Sequence, residues 1–119
     1  MIDAVALLHK YHAALNANDL EKVSAMFADD AVYVSPGLNG EIKGRAAIMQ
    51  SMRSYFAEFA DQISTDESVT LTAPFTVRSF WYLKATSNKT GNASERRGSE
   101  FVTFNEESLI IRVEVSDDI

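Results

Sequence analysis

Apart from one short strand, the apolar residues of this chain follow one period up to about residue 60 and another beyond it. The first is the 3.6-residue period of a helix and the second is the two-residue alternation of a strand. That single change limits the possible folds more than any other feature. Asp3 is placed to cap a helix over residues 4–16, in which Val5, Leu8, His12 and Leu15 share one face and Leu7, Tyr11 and Ala14 lie beside them. Tyr11 is thereby directed inward. Asn16-Ala17-Asn18 breaks the helix, and Asn18 with Glu21 makes a capping-box pair that starts a second one, whose apolar side is Leu20, Val23, Ala25, Met26 and Phe27. Ala28-Asp29-Asp30 reads as a turn and Ala31 to Ser35 as a short strand stopped by Pro36-Gly37. Leu38 to Gly44 reads as a flexible connection. A third helix over residues 45–60 carries the clearest stripe, Ile48, Met52, Tyr55, Phe56 and Phe59.

The alternation then begins at Val69-Thr70-Leu71-Thr72 and is interrupted by Ala73-Pro74. Phe75 to Thr86 is a long strand with Phe75, Val77, Ser79, Trp81 and Leu83 on one side and Thr76, Arg78, Phe80, Tyr82 and Lys84 on the other. A polar hairpin loop, Ser87 to Ser94, leads to a returning strand from Glu95 to Phe104. Asn105 to Ser108 turns the chain again and Leu109 to Val115 closes the sheet. Ala73-Pro74 and Arg96-Arg97-Gly98 are the expected sites of bulges or bends. Three helices followed by a run of antiparallel strands is an α+β order, and residues 1–119 are enough for one domain with a single core.

Composition narrows the function. Apolar residues make up 46% and charged residues 24% of the chain, the balance of an ordinary globular protein. No run reaches the roughly 18 apolar residues that cross a bilayer, so no membrane partner is expected. Met1-Ile2-Asp3-Ala4-Val5 lacks the basic start of a secretory signal, and a cytoplasmic location is the expectation. With no cysteine there is neither a disulfide nor thiol chemistry. A net charge of −6, with Arg96-Arg97 the sole adjacent basic pair and Glu95 and Glu100 flanking it, argues against nucleic acid.

Few residues carry chemistry by pattern alone. His9 and His12 are spaced to share a metal face on the first helix, but no third ligand is indicated nearby, so they read as a surface and a partly buried histidine and no metal is expected. Asp29-Asp30 fits turn and capping work better than catalysis, and Arg45 is placed to pair with one of them. Tyr33 and Ser35 lie on one strand face, so if one lines a pocket the other does too. Trp81, Phe80, Tyr82 and Phe75 read as core or interface aromatics, and the sequons at Asn88 and Asn92 as loop composition.

Tyr11-His-Ala-Ala-Leu-Asn-Ala-Asn-Asp-Leu, Ala25-Met-Phe-Ala-Asp-Asp-Ala, Gly44-Arg-Ala-Ala-Ile and Glu100-Phe-Val-Thr-Phe-Asn resemble the NTF2-like superfamily, and within it the ketosteroid isomerase and SnoaL-like branch. The likeness is dense over residues 5–60 and looser through the strands. It implies a cone in which helices pack within a strongly curved sheet around an apolar pocket, and a homodimer, for which exposed Phe and Val on alternating strands offer a surface. Function varies widely across such a fold.

Carried over residue by residue, the resemblance gives Tyr11 as the phenol that donates to a substrate oxyanion and Glu100 as the protonated second donor. Ser35 stands where the isomerases carry their proton-shuttling aspartate, and a serine hydroxyl is no base for a C–H bond without a partner that deprotonates it. His12, Tyr33, Ser35, Met52 and Phe56 are the expected ligand-contacting residues. The resulting expectation is a pocket for a small hydrophobic or aromatic molecule bearing a carbonyl or hydroxyl, with acid–base isomerase, lyase or cyclase chemistry and no cofactor. The alternative is a non-catalytic binding or dimerisation module.

Overall fold

A computed structural model of the protein describes residues 2–36 and 40–118. Helix α1 (Ala4–Asn16) starts where the Asp3 carboxylate accepts from the Ala6 N–H at 3.0 Å. It buries Ala4, Leu8, Tyr11, His12 and Ala14 on one side. Asn18, with φ of 54°, ends it: the Asn18 N–H donates to the Leu15 carbonyl and the Asp19 N–H to the Ala14 carbonyl, each at 3.0 Å. This is the paired closure of a Schellman turn, whose left-handed position asparagine tolerates. The cap of α2 (Leu20–Ala25) is therefore Asp19, which accepts from the Lys22 N–H at 3.2 Å, and not Asn18 as the capping-box spacing suggested.

Strand β1 (Phe27–Ser35) begins earlier than its apolar run implied, because Ala28 to Asp30 forms an irregular stretch inside the strand and not a turn before it. Next come β2 (Gly40–Lys43), α3 (Arg45–Glu58), β3 (Ile63–Ala73), β4 (Thr76–Thr86), β5 (Ala93–Phe104) and β6 (Ile110–Asp118). The pairing of β1 with β6 jumps from Phe27 opposite Ile110 to Val32 opposite Arg112, leaving Asp29 and Asp30 exposed. Asp29 uses that exposure to meet Arg45 at 2.7 Å. Of the expected connection from Leu38 to Gly44, residues 40–43 form β2 on the edge of β1, while Leu38 and Asn39, like Gly37 before them, lie outside the described residues.

The strands form one sheet in the order β2-β1-β6-β5-β4-β3. Every adjacent pair is antiparallel except β1 with β6, so the α+β sheet is mixed. Since α3 falls between β2 and β3, the helices do not all precede the strands. Strand β3 starts at Ile63, six residues ahead of the first legible alternation, and Asn16 at the end of α1 holds that start. Its side-chain amide donates to the Ser64 carbonyl at 2.8 Å, and its oxygen accepts from the Ser64 N–H at 2.9 Å.

The alternation expected of β4 is observed. Val77, Ser79, Trp81, Leu83 and Ala85 are buried, and Thr76, Arg78, Phe80 and Tyr82 are half-buried on the outer side. Burying each large apolar side chain contributes roughly 1.5–3 kcal/mol, and Leu8, Phe27, Ile48 and Phe104 sit at the centre. On the outer face the Arg78 guanidinium lies 4.5 Å from the Phe80 ring centre and 4.9 Å from that of Phe101. Among the described residues no helix is long and apolar enough to cross a membrane.

Gly98 does not bend the sheet: β4 and β5 pair without a break from Thr76 to Thr86. Its role is close packing. A Cβ there would lie 2.6 Å from Cη2 of the Trp81 indole and 2.6 Å from the Ser116 carbonyl oxygen, and the backbone atom has nowhere to go. Gly98→Ala is expected to lower stability by roughly 1–3 kcal/mol in urea unfolding. Trp81→Phe in the same chain should recover only part of the loss, because the clash with Ser116 stays.

Candidate functional site

A cavity of about 100 Å³ opens between the helices and the inner face of the sheet. His12 of α1, Tyr33 and Ser35 of β1, Met52 and Phe56 of α3, and Glu100 of β5 all stand on its wall, as does Trp81 of β4. Ser64 of β3 lines it as well, although β1 and β3 lie four strands apart in the sheet. On a flat sheet that separation is roughly 19 Å, so the sheet curves round the cavity. Its volume is on the scale of a void that admits a single benzene-sized ring, and below the roughly 300–1,000 Å³ of pockets for larger ligands.

The chemistry is concentrated at His12. The inward face of α1 brings its imidazole over β4, between carboxylates from the strands on either side. Nδ1 lies 2.9 Å from the Asp66 carboxylate, and Nε2 bonds Glu100 Oε1. Asp66 stands opposite Trp81 on β3, and Glu100 opposite Ser79 on β5. The Ser79 hydroxyl donates to Glu100 Oε1 at 3.4 Å. All three partners are well shielded, with side-chain exposures of 11% for His12, 17% for Asp66 and 7% for Glu100. Burial alone would discharge the imidazole, but hydrogen bonds and attraction from Asp66 and Glu100 outweigh it and push the His12 pKa up to about 10. The imidazolium thus bridges two carboxyl groups, one of them on the cavity wall.

Tyr11 takes a different place from the one its phenol suggested. It is fully enclosed, with its ring edge-on to Phe27 at 5.7 Å between centres, and it is not on the cavity wall. Its hydroxyl lies beside that of Tyr33 but has no aligned hydrogen bond to a protein group. Burial, then Tyr33 and Glu100, push the Tyr11 pKa up; burial and Glu100 do the same for Tyr33. Of these two phenols, Tyr33 is on the wall and Tyr11 lies behind it.

Sequence reasoning missed Asp66, Arg96 and Tyr55, the last two also on the wall. Tyr55 donates to the Gln62 side chain, and its phenol is pushed up by burial more than the nearby Arg96 guanidinium lowers it. His9 is largely exposed, with Nδ1 3.9 Å from Asp66. Among the described residues no group of three or more His, Cys, Asp or Glu side chains is arranged to hold a metal ion.

Three comparisons place these features among known proteins. The model of the SnoaL-like domain family matches residues 8–113. No curated protein sequence matches the chain. Among solved structures, Rv0760c from Mycobacterium tuberculosis, in complex with estradiol-17beta-hemisuccinate, aligns with a TM-score of 0.85 at 22% identity over 98% of this chain and 94% of its own. AclR from Streptomyces galilaeus, described as a putative hydroxylase, aligns at 0.80 and 19% identity over 95% of this chain and 86% of its own. The epoxide hydrolase/cyclase-like enzyme SalBIII, of pyran ring formation in the polyether salinomycin, aligns at 0.85 and 15% identity over 96% and 89%. At these identities the likeness is one of fold.

The His12 bridge makes two predictions. His12→Leu leaves Asp66 and Glu100 facing each other without a cation, and is expected to cost roughly 3–5 kcal/mol in urea unfolding at neutral pH. For the intact protein the His12 pKa is raised on folding from 6.5 to about 10. Its contribution is therefore complete below pH 6.5 and is lost as pH rises through about 10. Melting temperature should fall across that interval in the wild type, and far less in a His12→Gln, Glu100→Gln double variant.

Proposed function

The chain belongs to the SnoaL-like domain family of the NTF2-like superfamily, and from that premise we propose that it binds a small carbonyl- or hydroxyl-bearing molecule in its cavity and acts on it by acid–base chemistry. The observation that carries this reading is a buried histidine bridging two carboxylates, one of them on the cavity wall. Relatives of the fold crystallised with estradiol-17beta-hemisuccinate and with polyporic acid support a ligand in the hollow of the cone.

Glu100 is the base of this mechanism. Both of its hydrogen bonds end on Oε1, so Oε2 is the oxygen it offers to a ligand. It removes a proton from the carbon beside the ligand carbonyl, and the electron pair moves onto the carbonyl oxygen as an enolate. Tyr33 donates a hydrogen bond to that oxygen, with Tyr11 as its neighbour and support. Returning the proton to the same or a conjugated carbon gives exchange or isomerisation. Asp66 holds His12 in place against Glu100, so that the carboxyl group of Glu100 is fixed on the wall. Ser35 orients the ligand and takes no proton. Met52 and Phe56 supply the apolar side.

The second reading, a non-catalytic binding module, draws on the same bridge, since a fully paired histidine also serves to hold α1 against the sheet. The two separate on one measurement. Cyclohexanone in deuterated buffer should exchange its α-hydrogens faster with the protein than without, as read by NMR. Glu100→Gln should cut that acceleration by about 10²-fold or more. Binding of cyclohexanone without accelerated exchange would leave only the binding module.

We further propose a homodimer through the outer sheet face, where Arg78, Phe80 and Phe101 present a half-buried aromatic and cationic surface. Phe80→Glu should shift the protein toward the monomer in sedimentation at micromolar concentration while leaving its melting temperature within a few degrees.

A further inference from the structure

The far end of the cavity from Glu100 carries a second charged group that the acid–base chemistry does not use. Arg96 lies on the same inner face of β5, four residues away, which places the two backbones roughly 13 Å apart. His12 and Arg96 are the cations among the described residues on the wall. Between Glu100 and Arg96 stands Gly98, and its missing side chain lets the Trp81 indole lie against the backbone there. The wall between the two charged residues is therefore an aromatic surface. The Arg96 guanidinium is held at its edge, 5.9 Å from the indole centre.

Asp117 and the Trp81 indole hold Arg96 without taking up all of its donors. Its Nε is buried without a hydrogen-bond partner. The nearest acid, Asp117 opposite Gly98 on β6, is 3.8 Å from Nη2, beyond hydrogen-bond distance, and Asp117 Oδ1 is also buried and unpartnered. The Arg96 side chain keeps 38% of its surface open, so donors of its guanidinium remain available to a ligand on the wall. A guanidinium presents a planar fork of donors that suits a carboxylate.

We propose that Arg96 forms a carboxylate subsite, so that the ligand is a one-ring organic acid lying on Trp81 with its carboxylate at Arg96 and its carbonyl or hydroxyl toward Glu100. This rests on the acid–base reading of the same cavity. The cavity volume fits one ring and not a fused polycycle. Repulsion from Glu100 works against the arrangement. Asp117, 3.8 Å from Nη2, adds its own repulsion, so the acid binds only where direct contact with the guanidinium exceeds both, which the preference for acid over amide reads out.

Calorimetric titration with phenol, 4-hydroxybenzamide and 4-hydroxybenzoate tests the subsite. The wild type should bind 4-hydroxybenzoate on the order of tenfold more tightly than the amide. Arg96→Met should remove that preference, bringing the affinities for the acid and the amide to within about twofold of each other. Arg96→Lys should restore part of it. If phenol binds and the wild type shows no preference for the acid, or if Arg96→Met keeps the preference, the carboxylate subsite is wrong while the cavity reading stands. If none of the three probes binds, both fall. The wild-type comparison decides even where a variant fails to fold.

Discussion

One protonated histidine holds the inside of this protein together. His12 reaches from a helix to two strands that are not neighbours, and its two nitrogens close on Asp66 and Glu100 across the strand between them. Such a bridge is expensive to bury and more expensive to break, because losing any one member strands a charge away from water. Its energetic worth to folding is for that reason small compared with its worth to geometry. It fixes how α1 sits over the sheet, and it holds the Glu100 carboxyl group in place on the cavity wall.

The rest of the site follows from accommodating that bridge. Ser79 takes the place of a large apolar residue in the inner row of β4 and donates to Glu100. Two positions along, Trp81 fills the space that Gly98 vacates across the strand pair. Along one strand face, a small polar residue that supports Glu100 is thus followed by a large aromatic that lines the hollow. Met52, Phe56 and Tyr33 close it from the other side. Packing and chemistry here have the same cause.

The regular elements were legible in the sequence because burial left a periodic trace. Both faces of β4, the stripe of α3 and the cap of α1 were read correctly from spacing, and the Arg45 pairing with the Asp29-Asp30 corner from charge. What could not be read has a physical pattern too. The inner positions at the start of β3 are the polar residues Ser64, which lines the cavity, and Asp66, which pairs with His12, so the alternation that marks a strand vanishes where the strand becomes functional. Asp66 went unseen for that reason. Arg96 was hidden by its neighbour, since an adjacent arginine pair looks like solvated surface until the strand sends one side chain in and the other out. Tyr11 was correctly turned inward, but no one-dimensional pattern separates a wall residue from one a layer deeper.

The doubled contact between Asn16 and Ser64 carries a consequence for assembly of the site. One carboxamide mimics a neighbouring backbone at the border of β3 away from β4, and so adds to the register that pairing with β4 sets. Were β3 to slide by a single residue, its pleat would invert and Asp66 would face solvent, leaving His12 with one partner in place of two. A neutral side chain at a helix end thus acts as the ruler by which the ionic centre is measured out.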